Sequence, residues 1–173
     1  MKYILIGLLL ILTFESCAKK ENHADMRLFL VEQLKNTHTQ QDWFVPTNKA
    51  LEGLTFEQAN VKDSTDNHSI SEIVSHILYW NEINLRAFKE EEVDDNITND
   101  NQNAETFKIS SGKDWSKTVQ KLDSIQTEWE LAVEKTSDQQ IYLWQHEIAD
   151  IAAHNAYHTG QIIYIRKKNG WWK

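Results

Sequence analysis

His154-Asn155-Ala156-Tyr157-His158-Thr159-Gly160-Gln161 is the stretch on which the reading of this chain turns. Four residues of α-helix advance by about 400° and about 6 Å, so the imidazoles of His154 and His158 project from one face, close enough to share one ion. A third candidate, His76, stands in a second amphipathic stretch, Ser71-Glu72-Ile73-Val74-Ser75-His76-Ile77-Leu78-Tyr79-Trp80. Three neutral imidazoles from two packed helices leave one coordination position open, as chemistry requires and a purely structural site does not.

The residues around these two stretches predict an all-helical domain. The chain has one proline, Pro46, and five glycines, and it lacks alternating β-branched runs. A first helix is expected over 24–39, with Met26, Leu28, Phe29, Leu30, Val31 and Leu34 as one broad stripe, and Trp43-Phe44-Val45-Pro46 breaks it. A short helix follows over 48–59, with a local stop at Gly53, and then a polar loop over 62–68. Ser69 and Glu72 form a capping-box pair that opens the second long helix, expected to run to about 91. Residues 92–112 are rich in Asp, Asn, Thr and Gln, with Ile97, Phe107 and Ile109 among the few apolar positions, and read as a long surface connection. Asp114 is placed to cap a third long helix whose stripe carries Trp115, Val119, Leu122, Ile125, Trp129, Leu131 and Val133. After a link at 137–140, a last helix is expected from 142 or 144 to 168, with Ile148, Ile151, Ala152, Ile162, Ile163 and Ile165, stopped by Asn169-Gly170. Four long helices with one long crossover connection make a four-helix bundle, a fold that builds metal sites from facing helices.

His76 in Ser-Glu-Ile-Val-Ser-His-Ile-Leu-Tyr-Trp-Asn-Glu, with His154 and His158 in His-Asn-Ala-Tyr-His-Thr-Gly-Gln-Ile, resembles the three-histidine signature of the DinB-like superfamily. The similarity spans about residues 25–172 and includes the order of the helices. It implies a four-helix bundle whose three histidines, here His76, His154 and His158, bind a divalent metal. It also implies a place among hydrolases and thiol-dependent transferases, such as those acting with bacillithiol or mycothiol. Three imidazoles suit Zn, Ni, Fe or Co alike.

Other residues near the triad carry weaker expectations. Asp150, one turn before His154, is a candidate to orient that imidazole from the second shell, and His146 a candidate spare ligand. Glu72 is a weak candidate for a catalytic base, since its capping role accounts for it equally well. Trp80, one turn after His76, is placed to wall a pocket, and Gly160 to allow close packing or ligand access. His23, His38 and His68 stand in polar surroundings and call for no function. Trp43, Trp115, Trp129 and Trp144 read as core, while Trp171-Trp172 fits packing on the bundle, a membrane surface or a homodimer contact.

The start of the chain reads as targeting, not fold. Met1-Lys2 and an apolar run over 3–14, too short to span a bilayer, precede Ser16-Cys17-Ala18. The expected organisation is a cleaved signal at 1–16, an anchor linker at 17–24 with Cys17 as the lipid-modified first residue, and the bundle at 25–173. This resembles a bacterial lipoprotein, exported and anchored in the cell envelope, on the periplasmic or outer-membrane side. Cys17 is the sole cysteine, so no intramolecular disulfide forms. A formal charge of −8 without a basic stripe argues against nucleic acid as a partner, because phosphate affinity comes from clustered Lys and Arg. The reading that follows is an exported metal-dependent enzyme of hydrolase type acting on a small molecule, with thiol-dependent transfer and a non-catalytic metal- or ligand-binding lipoprotein as alternatives. A third, a metal-free interaction scaffold, would bury the same histidines without an ion.

Overall fold

The structure, a computed structural model, describes residues 23–62, 68–93, 100–108 and 115–172, and all regular structure in them is helical. The expected signal with Cys17, and Asp114 as a helix cap, lie outside the described residues. Four helices are long: α1 (His23–His38), α4 (Ile70–Phe88), α6 (Trp115–Lys135) and α7 (Asp138–Lys168). Three are short: α2 (Thr47–Leu51), α3 (Phe56–Asn60) and α5 (Asp100–Glu105).

The short helices depart from the sequence expectation, and each has a local cause. The single helix expected over 48–59 is two. Gly53 takes a φ of 71°, which costs a residue without a Cβ little, and the chain turns out of α2 there. Thr55 then caps α3, accepting from the Gln58 N–H while the Gln58 side chain accepts from the Thr55 N–H. Ser69 and Glu72 make the same reciprocal pair at the start of α4, as the sequence predicts. α4 stops at Phe88, short of 91, because Glu90 turns to a φ of 60° and the Glu91 N–H closes back on the Arg86 carbonyl. α7 begins earlier than 142, because the Ser137 hydroxyl caps it by accepting from the Gln140 N–H.

α1 packs against α6 and α7, and α4 packs against the same two, so each long helix faces two others around a shared interior. At one end Leu30, Leu34, Phe88, Trp129, Val133 and Ile148 meet, and at the other Ala50, Ile70, Val74, Ile77, Leu122 and Ile162. Burying one such side chain stabilises the fold by roughly 1.5–3 kcal/mol. Trp129 is fully buried and its indole N–H donates to the Asn81 carbonyl, while Trp144 meets Phe88 edge to face.

The apolar stripes are narrower than expected. Of the apolar residues expected on the α1 stripe, only Leu30, Val31 and Leu34 are buried, whereas Met26, Leu28 and Phe29 are exposed. Leu28 stands two residues before Leu30, about 200° around the helix, so no neighbour covers it. Leu131 is turned out for the same reason, two residues after Trp129. Trp43 is not core: it lies in the break after α1, opposite no helix, and is 94% exposed. Residues 171–172 fold back on the bundle, with Trp171 packed on the second cluster and the Arg166 guanidinium carbon 5.0 Å above the ring centroid of Trp172.

Candidate metal centre

α4 and α7 run side by side, held at their crossing by an amide pair. The Asn81 amide donates to Asn155 Oδ1 at 2.7 Å, and the Asn155 amide returns a bond to Asn81 Oδ1 at 3.1 Å, both fully buried. That lock fixes the register of the two helices five residues after His76 on α4 and directly after His154 on α7. On α7, Thr159 meets the Thr47 hydroxyl at 2.8 Å, which ties the same face to α2.

Fixed in this way, His76, His154 and His158 converge, with one ligand atom of each within 4.8 Å of the others. The ring centroids of His76 lie 5.0 Å from His154 and 4.7 Å from His158, and those of His154 and His158 lie 4.5 Å apart. Nε2 of His154 stands 3.1 Å from Nε2 of His76. Two nitrogens on one tetrahedral ion at about 2.0–2.1 Å stand about 3.3 Å apart, so this spacing fits a shared ion.

The outer nitrogens decide which atoms face inward. The Thr106 hydroxyl donates to the Asn103 carbonyl, so towards His76 it accepts, and Nδ1–H of His76 donates to it at 2.5 Å. The Gln161 carbonyl oxygen accepts from Nδ1–H of His158 at 2.7 Å. In both rings the Nε2 lone pair is left for an ion, the arrangement by which outer partners orient metal-binding imidazoles. Nδ1 of His154 is buried without a hydrogen-bond partner.

Burial lowers the pKa of His76 to about 3, with repulsion from His158, His154 and His68 adding to it. Burial likewise lowers His154 to about 4, with His158 adding. His158 is lowered by burial against the opposing pull of its bond to Gln161. All three are therefore neutral at neutral pH, the form that binds a metal. Three neutral imidazoles, two of them oriented by Thr106 and Gln161, fit one divalent ion.

A cavity of about 590 Å³ opens over the triad. Trp80, Phe107, Tyr157 and Ile151 wall it, with Asn84, Asn103, Glu147 and Asp150 as the polar groups beyond the histidines. Trp80 and Asp150 thus stand at the site, but Asp150 makes no hydrogen bond to His154; the orienting contacts present are those of Thr106 on His76 and Gln161 on His158. Gly160 is exposed, does not line the cavity, and a Cβ there would meet nothing within 4 Å, so it serves neither close packing nor access. Glu72 lies away from the cavity, occupied by the Ser69 cap and by Lys62. His146 is exposed and outside the triad.

Thr106, Phe107 and Asn103 are site residues that the sequence reading left in a surface connection. Phe107 lies flat between two imidazoles, 3.9 Å from His76 and 3.8 Å from His68, each at 9°. The Trp80 indole N–H donates to Asn103 Oδ1. Their signal was the lone aromatic in a polar run. His38 also differs from expectation: it is buried, 3% exposed, with its Nε2 on Asp123 at 2.9 Å and its Nδ1 on Glu130 at 2.7 Å.

No curated protein and no solved structure matches this chain. The DinB superfamily matches residues 46–161, a span that holds His76, His154 and His158 together with the cavity over them. On that match, and with an all-helical fold bringing the three histidines to one point, the chain belongs to the DinB superfamily.

Proposed function

We propose that this protein is a metal-dependent enzyme of hydrolase type, a four-helix bundle with one long crossover, exported and lipid-anchored through Cys17. The observation that carries the enzymatic reading is the convergence of three neutral imidazoles at the floor of an open, roomy cavity. A divalent ion held by His76, His154 and His158 supplies Lewis acidity and a lowered pKa for a water or thiol. The chain's own residues do the rest. Thr106 and Gln161 hold two of the imidazoles in the tautomer that presents Nε2. Trp80 and Phe107 keep one side of the site dry, and the Asn84 and Asn103 amides line the cavity where a substrate carbonyl or hydroxyl needs a partner. Export favours hydrolysis over thiol transfer, because the low-molecular-weight thiols that the transferases of this superfamily use are cytosolic.

The test is elemental analysis of the chain from Ala18 onward, purified without added chelator, beside His76→Ala and His154→Ala. About one equivalent of metal in the parent, lost in both variants with the helical signal retained, supports the site and opens a screen of ester and amide substrates. A parent that takes up no metal after reconstitution overturns it and favours a scaffold. Export is tested separately by labelled palmitate, whose incorporation must vanish in Cys17→Ala.

A further inference from the structure

The cavity over the triad has a charge bias that the metal reading leaves unused. Its lining contains two carboxylates, Glu147 and Asp150, and neither lysine nor arginine. Both carboxylates are on α7, Glu147 three residues before Asp150 and Asp150 four before His154, so they share the α7 face that carries His154 and His158. Neither has an ion-pair or hydrogen-bond partner among the described residues, although the surface elsewhere pairs its acids freely, as in Lys121 with Glu82 and Lys62 with Glu72. Trp80, Phe107 and Tyr157 supply aromatic walls beside them. Along the helix Asp150 stands about 6 Å and Glu147 about 10 Å from His154.

We propose that the cavity selects a cationic small molecule, an amine-bearing compound whose ammonium sits between Glu147 and Asp150 while a donor group about 6–10 Å away reaches the histidines. This deepens the enzymatic reading and rests on the cavity being the substrate site. An ammonium meets two unpaired carboxylates and the electron-rich faces of aromatic rings, both of which favour it. A carboxylate at the same place meets like charge. A neutral chain of equal length gains only the apolar contacts.

The probes are 6-amino-1-hexanethiol, 6-mercapto-1-hexanol and 6-mercaptohexanoate, titrated by calorimetry into zinc-loaded and metal-free protein at low ionic strength. The amine is expected to bind about five- to tenfold more tightly than the alcohol, and the alcohol more tightly than the carboxylate. In the Glu147→Gln/Asp150→Asn double variant, whose exposed positions leave the core untouched, the three should bind alike. Raising the salt should shrink the preference in the parent. Equal binding of the three by the parent, no binding of any, or a preference that survives in the double variant overturns the inference. The metal-free arm separates the two readings. An amine preference in a protein that takes up no metal sinks the metal site and keeps the cationic pocket, whereas full metal content with no preference sinks the pocket alone.

Discussion

The ring of Phe107 lies flat on the imidazole of His76, 3.9 Å between centroids and 9° between planes, while the neighbouring Thr106 hydroxyl holds Nδ1–H of the same imidazole. One turn of chain after α5 therefore fixes both the plane and the tautomer of a metal ligand. Thr106→Val keeps the shape and removes the acceptor, so the Nε2 lone pair is no longer guaranteed. Metal affinity should fall by about 10- to 100-fold, with the helical signal unchanged. Competition against a chromophoric chelator measures this directly. An unaltered affinity would mean that His76 needs no partner to hold its ring.

Protons should compete poorly for the triad. The imidazoles of His76 and His154 sit at about 3 and about 4, and that of His158 is also lowered, all below an ordinary histidine. Metal affinity should therefore be nearly flat from pH 8 to pH 6 and fall only in more acidic solution. Three exposed histidines would begin to lose metal near pH 7. The metal-free fold has a matching dependence. Folded pKa values below the unfolded value of about 6.5 mean that the unfolded chain binds more protons, so stability is full above pH 6.5 and declines as pH falls towards 4. Urea titrations of metal-free protein from pH 7 to pH 4.5 should show that decline, and His154→Ala should flatten it.

The triad was legible because helical geometry turns a four-residue spacing into adjacency: His154 and His158 had to share a face, and Ser69 with Glu72 fixed where the His76 helix began. Thr106 and Phe107 were not, since they stand after a six-residue helix in a polar connection that has no period to read. Asp150 misled for the opposite reason. Its spacing from His154 is right for an orienting contact, yet side-chain direction on the helix takes it into the cavity instead. Hydrophobicity alone places Leu28 and Trp43 in the core, but neither has a facing helix to cover it, and both are exposed.

Asn81 and Asn155 form a closed pair of amide bonds inside the bundle, and neither has water to fall back on. Asn155→Leu should cost about 1–3 kcal/mol, the penalty of leaving Asn81 Oδ1 buried without its donor, while Asn81 Nδ2 keeps its bond to the Ile77 carbonyl. Because Asn155 stands directly after His154, the same change should loosen the triad and weaken metal binding. Chemical denaturation of the single variants and of the Asn81→Leu/Asn155→Leu double variant gives the coupling. If the double variant is no better than the sum of the singles, the two amides do not act as a unit.

His38 runs opposite to the triad in pH. Burial disfavours its charge, but the hydrogen bonds its ring N–H groups donate to Glu130 and Asp123, with their Coulombic attraction, outweigh that and raise its pKa above 6.5. The two carboxylates flank it on α6, and Asn48 donates to Asp123 at 2.7 Å, so α1, α2 and α6 meet at one imidazole. A raised folded pKa means that the native state binds the extra proton. Its contribution is full below about pH 6.5 and is lost as pH climbs through the folded value. His38→Gln should therefore cost more at pH 6 than at pH 9, by about 1.5–3 kcal/mol, a range set by charge-assisted hydrogen bonds. Metal content should stay near that of the parent, because His38 lies outside the triad and its cavity. Urea midpoints at the two pH values decide it: an equal cost at both would show that His38 is held as a neutral group and that its carboxylate partners contribute by packing alone.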